Sequence, residues 1–113
     1  MTGTKPFYVV LYYAAGDTRV PLAILLLDPL NDLLIMRFRA DLDFVDDDDL
    51  EVLQALPADI RRLSTAVGGP TALLGYFEDT LSNMIQISER RYIEDPDIEL
   101  RSAFEDICRR ELS

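Results

Sequence analysis

The residues of this sequence that could most readily do chemistry form one acidic segment. Between Asp41 and Glu51, seven of the eleven residues are acidic and none is basic. The seven are Asp41, Asp43, Asp46, Asp47, Asp48, Asp49 and Glu51. Carboxylates at this density could bind a divalent cation, meet a basic surface of another molecule, or simply begin a helix.

Helix initiation accounts for part of the segment. With Asp46 as the N-cap, the next three aspartates fill the first helical turn, and Val45 and Leu50 take the two positions of a hydrophobic staple. Each carboxylate there gains about 0.3–1 kcal/mol from the unpaired backbone amides, and repulsion between neighbouring carboxylates offsets that gain. The acidic residues exceed what a helix start requires, so a patch facing a partner is a second interpretation.

A metal site is the third interpretation. A calcium loop of the EF-hand type starting at Asp41 would place Val45 at a ligand position, Asp46 where glycine is needed and Val52 where a bidentate glutamate is needed. That motif is therefore excluded. A magnesium ion held by two of the aspartates and a substrate phosphate remains as an alternative, and it would make the protein a carboxylate-based or magnesium-dependent enzyme.

Most other catalytic arrangements lack their residues. The chain has no histidine, which removes the usual base at neutral pH and the histidine-containing triads and zinc sites. Its single cysteine, Cys108, falls on the apolar stripe of a predicted helix and is expected in the core. The Gly68-Gly69-Pro70 stretch lacks the spacing of a phosphate-binding loop. We therefore predict no catalytic residue, no metal and no cofactor.

Two arginines complete the candidate binding residues. Arg37 and Arg39 share one face of a predicted strand and could together clamp an anion. The chain has 21 acidic residues against 11 basic ones, so pairing with surface carboxylates is the favoured interpretation.

Length and composition bound the remaining classes. A chain of 113 residues with 49% hydrophobic residues predicts a single globular domain, 1–113. A net charge of −10 opposes direct binding to nucleic-acid phosphates. The longest apolar stretch, Pro21 to Leu27, is shorter than the ~20 residues of a membrane-spanning helix, and no targeting segment is visible. The lone cysteine fits a reducing cytoplasm.

Three strands are predicted to position these residues. They are Phe7 to Tyr13, Val20 to Asp28, and Leu33 to Arg39, and the short turns between them make an antiparallel meander. The second strand is apolar on both alternations, so we expect it to be covered on both faces. One alternation contains Leu22, Ile24 and Leu26, and the other contains Ala23, Leu25 and Leu27. The third strand has one apolar face and one partly solvent-exposed face, and the second carries the arginines.

Helices are predicted after the meander. An apolar stripe from Leu50 to Val67 is interrupted by Pro57, which predicts one kinked helix or two short ones. Pro70 is placed to begin a further helix carrying Leu73, Leu74, Phe77 and Leu81. Met84 to Ser88 reads as a fourth strand, with continuation of that helix as the rival. Asp95 and Pro96 are placed to begin a last helix that buries Leu100, Phe104, Ile107, Cys108 and Leu112.

The fold class predicted is therefore α+β. It consists of a three- to four-stranded, mainly antiparallel sheet, with the meander first and three to four helices packed on it. Tyr8, Tyr12 and Tyr13 lie on the strand beside the doubly apolar one. The second face of the sheet is thus covered by the chain's own helices or by another chain, and the latter would make a homodimer or a structural subunit of an oligomer.

The order of several stretches resembles a known family. YVVLYY, AILLLDP, MRFRADLD, LSNMIQISERR and ELRSAFEDI follow one another as in a family of small uncharacterised bacterial proteins with a domain of unknown function. Those proteins are often encoded beside HipA-like kinases. Their second strand tends to begin with an acidic residue, then Val-Asn and a glycine, where this chain has Arg19-Val20-Pro21-Leu22-Ala23. The resemblance implies a bacterial accessory protein that acts through partners, and it implies no catalytic residue.

The sequence thus favours a non-catalytic, acidic, protein-binding module. Such a module would be an inhibitor, an antitoxin-like protein or an accessory subunit in the cytoplasm, and its partner would be a protein with a basic surface. The acidic segment, together with Arg37 and Arg39, is the expected binding surface. The magnesium-dependent enzyme and the oligomer subunit are the two alternatives.

Overall fold

The computed structural model describes residues 5–15, 17–29, 33–43, 45–69, 72–73, 75, 85–93 and 99–112. The elements bounded within them are β1 (Phe7–Ala15), β2 (Thr18–Asp28), β3 (Leu33–Phe38), α1 (Asp47–Ala66), β4 (Ile85–Ile87), β5 (Arg91–Tyr92) and α2 (Leu100–Leu112). The mixed α and β class predicted from the sequence is confirmed.

The strands form one antiparallel sheet in the order β3-β2-β1-β4. The predicted meander is its first three strands. β4 confirms the strand expected at Met84 to Ser88, and the two-residue β5 was not predicted. Both β4 and β5 pair with β1, β4 at Leu11–Tyr13 and β5 at Phe7–Tyr8, so they line the same edge of the sheet one after the other.

A bulge in β2 changes one predicted face. Leu11 is opposite Ala23, and Tyr12 is opposite Pro21, which leaves Leu22 as an extra residue in β2. Leu22 therefore joins the same buried cluster as Ala23, although strict alternation assigned it to the face of Ile24. Bulges place two consecutive side chains opposite one partner residue, and strand periodicity alone does not reveal them.

The sheet lies between the two helices. On one face, Leu53 and Ile60 of α1 pack with a cluster from the strands that includes Val9 and Leu25. On the other face, residues of α2 pack with Val10, Ile24 and Leu26. Successive residues of a strand point to opposite faces, so both faces of the doubly apolar β2 are covered within the chain.

The tyrosines divide between these two faces. Tyr13 is buried against the α1 side, whereas Tyr8 and Tyr12 are partly buried against the α2 side. The guanidinium of Arg19 lies 4.7 Å from the centre of the Tyr12 ring, and that of Arg91 lies 5.9 Å from the centre of the Tyr8 ring. A cation of the same chain thus lies over the face of each of these two rings.

Two helices, α1 and α2, are bounded within the described residues, so the three to four helices predicted are not supported there. Pro57 lies inside one continuous α1, which is the first of the two alternatives predicted for that stretch. Proline removes one backbone donor, and packing of Leu53 and Ile60 on either side of it maintains the helix. The helix predicted from Pro70 to Leu81 falls largely outside the described residues.

Both helices end and pack much as expected. α1 stops at Ala66, and Gly68 and Gly69 follow with positive φ angles of 100° and 120°, which glycine adopts without a Cβ clash. α2 begins at Leu100, four residues after the predicted first position at Pro96, so the predicted start is wrong; Glu99 precedes the helix and its carbonyl accepts from the Ala103 N–H at 3.0 Å. Asp95 and Pro96 themselves lie outside the described residues. Of its predicted face, Phe104, Ile107 and Cys108 are buried, and Leu100 and Leu112 are partly buried.

Candidate partner-binding surface

The acidic patch comprises Asp41, Asp43, Asp46, Asp47, Asp48, Asp49 and Glu51, on the loop between β3 and α1 and on the first turns of α1. Two apolar residues anchor this loop to the core. Val45 is 8% exposed and Leu42 packs against the same cluster. The Val45 N–H donates to the Leu42 carbonyl at 3.0 Å, and the Asp43 N–H donates to Asp41 Oδ1 at 3.0 Å. The loop is therefore fixed by its apolar residues, and its carboxylates remain outside.

Asp46 occupies the N-cap position of α1, as predicted. Its backbone is extended, with φ −63° and ψ 147°, and its carbonyl accepts from the N–H groups of Asp49 and Leu50, both at 3.0 Å. Its side chain makes no capping hydrogen bond, so the predicted carboxylate cap is wrong in that detail. The Asp46 carboxylate is exposed to solvent and is not used by the helix start.

Asp49 is the one carboxylate of the patch that is tied to the sheet. The Tyr13 hydroxyl donates a hydrogen bond of 2.7 Å to Asp49 Oδ2. This bond, together with burial and the negative charges of Asp49 and Asp46, raises the pKa of Tyr13 above its ordinary value, because each disfavours the tyrosinate. The contact joins the first turn of α1 to β1 and orients the patch relative to the sheet.

The other patch carboxylates are outside the ion pairs found among the described residues. Asp41, Asp43, Asp46, Asp47, Asp48 and Glu51 are exposed. The ion pairs between residues that the structure describes are Arg37–Glu105, Arg62–Asp59, Arg91–Glu111 and Arg109–Asp106. None of these four pairs includes a residue of the patch. Ion pairs within the described residues therefore do not neutralise the negative charge of the patch.

Arg37 and Arg39 lie apart from most of the patch, in a cleft of about 680 Å³ between the end of β3 and α2. Asp41 lines the same cleft, together with Glu105 and Arg109 of α2. Arg37 forms an ion pair with Glu105, which is the surface pairing expected from the composition. Arg39 donates to the carbonyl of Pro21 at 3.3 Å. The cleft therefore mixes both signs of charge and is not an open arginine clamp.

Cys108 forms part of the wall of this cleft but is 3% exposed. Burial raises the pKa of the Cys108 thiol, and the opposing effect of Arg37 is smaller. The thiol is thus held in its protonated form, as expected for a core residue and not for a nucleophile.

Sequence reasoning missed the α2 contribution to the cleft. Glu105, Arg109 and Leu112 follow one another at steps of four and three, so the sequence does predict that they share one helical face. It does not say which strand that face meets, because the pairing of α2 with the end of β3 is set by the burial of Phe104 and Ile107 more than 60 residues away in the chain.

An exposed apolar side chain was also missed. Val52, within the first two turns of α1, is 49% exposed and follows Glu51 directly. The helical stripe of Leu50, Leu53 and Leu56 excludes it, which places it on the outer side of α1, four residues after Asp48. Val52 therefore adds a small exposed apolar area beside the carboxylates of the patch.

Among the residues that the structure describes, no three acidic or cysteine side chains converge closely enough to hold a metal ion. Neither described helix combines the length and the hydropathy needed to cross a bilayer. Comparison of the chain with protein-family models, curated proteins and solved structures gave no match. The resemblance to the small bacterial family therefore stays a prediction.

Proposed function

We propose that this protein is a non-catalytic binding module whose acidic patch engages a basic surface of another protein. The observation that carries the proposal is the uncompensated charge of the patch, six of whose seven carboxylates are exposed and outside the ion pairs described. A concentrated field of one sign steers a partner of opposite sign and accelerates their encounter. An inhibitor, an antitoxin-like protein or an accessory subunit, in a bacterial cytoplasm, would use the patch in this way.

Anchoring of the patch to the core supports the same proposal. Val45 is buried and Tyr13 donates a hydrogen bond to Asp49, so two points along the patch are held against the rest of the fold. Preorganisation reduces the ordering cost of association. Val52 adds apolar area beside the carboxylates, where a partner could exclude water.

The experiment compares two triple variants with the same change in charge. The patch variant carries Asp46→Asn, Asp47→Asn and Asp48→Asn, and it retains Asp49 and its bond to Tyr13. The control variant carries Asp17→Asn, Glu89→Gln and Glu99→Gln, which are exposed and lie outside the patch. Glu99 precedes α2, so the control also removes a carboxylate from a helix start.

The wild-type protein is used to isolate a partner from its host, and the partner is then purified for binding measurements. We expect the patch variant to bind it at least about tenfold more weakly, and the control variant to bind within about twofold of wild type. The association rate of wild type should fall as NaCl is raised, because salt screens the attraction. Equal losses in the two triple variants, or association rates independent of salt, would contradict the proposal.

A further inference from the structure

The outer edge of β3 carries backbone groups that point away from the sheet. β3 is the last strand in the sheet order, and no other strand in the described part of the chain pairs with its outer edge. The Arg39 N–H donates to the Leu22 carbonyl at 2.7 Å, one step beyond the last pair of the β2–β3 register. Hydrogen-bonded pairs alternate along an antiparallel ladder, so the N–H and C=O groups of alternate β3 residues face outward. Those residues are Leu34, Met36 and Phe38.

This edge opens onto a groove beside α1. A cleft of about 370 Å³ is lined by Leu34, Ile35 and Met36 from β3 and by Arg61 and Ser64 from α1. Leu33, at the start of the strand, is 43% exposed. Outward hydrogen-bonding groups with apolar side chains beside them are the two features that an added strand uses, since the backbone gives affinity and the alternate side chains give specificity.

The usual protections of an edge strand are weak here. Natural edges are blocked by proline, by lysine or by charged side chains that point inward. From Leu33 to Phe38 the one charged residue is Arg37, and its guanidinium is paired with Glu105 on the α2 side of the sheet. The strand can therefore accept a neighbour without first losing a charge-based barrier.

The acidic patch begins just beyond one end of this edge. β3 ends at Phe38 and continues within a few residues into Asp41 and Asp43 of the acidic patch. A strand added antiparallel to β3 would bring its N-terminal residues beside this acidic end, and its later residues beside the apolar start of β3.

We propose that the outer edge of β3 binds an extended segment of the partner protein, in which basic residues precede an alternating apolar strand, so that the sheet gains a further strand. This inference rests on the proposed function, because the acidic patch supplies the charge that selects the basic end. It adds the mode of binding: main-chain pairing along β3, with the acidic patch fixing direction and register.

The test uses a synthetic probe and the full chain. The probe peptide has three arginines followed by six alternating threonines and valines, and the control peptide has the same residues with the arginines at its C-terminus. We expect the probe to bind about tenfold more tightly than the control, measured by fluorescence anisotropy, because only the probe places its arginines beside the patch in antiparallel pairing. Equal affinities of the two peptides would overturn the inference.

Backbone methylation tests the pairing without altering the protein. Two further probes carry N-methyl groups, one on the odd and one on the even residues of the threonine-valine stretch. The N–H groups of alternate residues face β3, so one methylated probe should lose at least about tenfold in affinity relative to the other. Amide NMR shifts of wild-type protein should change at Leu34, Met36 and Phe38. Equal affinities of the methylated probes overturn main-chain pairing.

Two variants separate this inference from the proposed function. Met36→Pro removes an outward N–H while leaving the bonds of Arg37 and Ile35 to β2, and it should abolish probe binding without loss of the patch. If the patch variant fails to bind the natural partner and the wild-type protein does not bind the probe, the proposed function stands and the edge site is overturned. If sedimentation shows that wild type is a dimer and that Met36→Pro is a monomer, the edge of β3 binds a second copy of this chain. That result would also overturn the inference of a partner segment at this edge.

Discussion

At the scale of single residues, the bond between Tyr13 and Asp49 links the core to the acidic patch. Tyr13 is 4% exposed, so its ring belongs to the core, while its hydroxyl reaches the first turn of α1. The hydrogen bond to Asp49 and the nearby negative charges favour the neutral phenol and raise the pKa of Tyr13 above its usual value of about 10. A buried residue thus determines where one carboxylate of the binding surface lies.

Tyr13 should make stability depend on pH in the alkaline range. In the unfolded chain it loses its proton near pH ~10, and in the folded protein it does so at higher pH. Its contribution is therefore complete below pH ~10 and is lost as pH rises through the folded pKa. The free energy of unfolding, measured with urea, should fall more steeply above that pH for wild type than for Tyr13→Phe.

Absorbance titration of tyrosinate supplies the control for that experiment. The chain has five tyrosines, and the difference between wild type and Tyr13→Phe isolates one of them. The transition that wild type shows and Tyr13→Phe lacks is the ionisation of Tyr13, and we expect it above pH ~10. A Tyr13 transition at or below pH ~10 would show that Asp49 does not hold the hydroxyl.

At the scale of elements, Ser88 joins two short strands into one edge. It lies between β4 and β5, and it exchanges two hydrogen bonds with Val10 of β1. Its N–H donates to the Val10 carbonyl at 2.9 Å, and its Oγ accepts from the Val10 N–H at 2.8 Å. A side-chain oxygen therefore replaces a backbone carbonyl where the strand is interrupted, and the buried N–H of Val10 is satisfied.

Replacement of Ser88 should consequently cost more than an ordinary surface substitution. Ser88→Ala leaves the Val10 N–H without this acceptor, and we expect a loss of about 1–3 kcal/mol in the free energy of unfolding. Ser88→Thr keeps a hydroxyl and should recover most of the loss. Ser102→Ala on the exposed side of α2 is the matched control, expected within about 0.5 kcal/mol of wild type in urea unfolding. Equal midpoints for the two alanine variants would contradict this role.

The elements also show how far sequence reasoning extends. β1 to β3 and the faces of both described helices follow from periods of two and of three to four, because burial imposes those periods directly. The choice of one helix over two at Pro57, the bulge at Leu22 and the hydroxyl of Ser88 in the ladder do not follow from them. Each depends on partners that are distant in the chain, and tertiary packing can override a local preference. The acidic patch was predictable because it is local, whereas the cleft shared by Arg37 and Glu105 was not.

At the scale of the whole molecule, the helices on both faces leave the edges and the acidic patch for interaction. α1 and α2 cover the apolar faces of the sheet, and seven of the chain's 21 acidic residues lie in the patch at the N-terminal end of α1 and on the loop before it. A surface that repels itself disfavours folding through like-charge repulsion and favours a partner of opposite charge. Repulsion among the patch carboxylates should therefore lower the folding stability of the free protein.

Salt provides the measurement of that cost. Raising NaCl shortens the Debye length from about 10 Å at 0.1 M to about 3 Å at 1 M, which screens repulsion among the carboxylates. We expect the Tm of wild type to rise with NaCl over this range, and the rise to be smaller for the patch variant than for the control variant. Both variants carry the same net charge, so a difference between them reports how the charge is distributed. Tm is measured by circular dichroism. An identical salt dependence of Tm in the two variants would mean that the negative charge of the patch is already neutralised within the folded chain. The proposed attraction of a basic partner would then have no source.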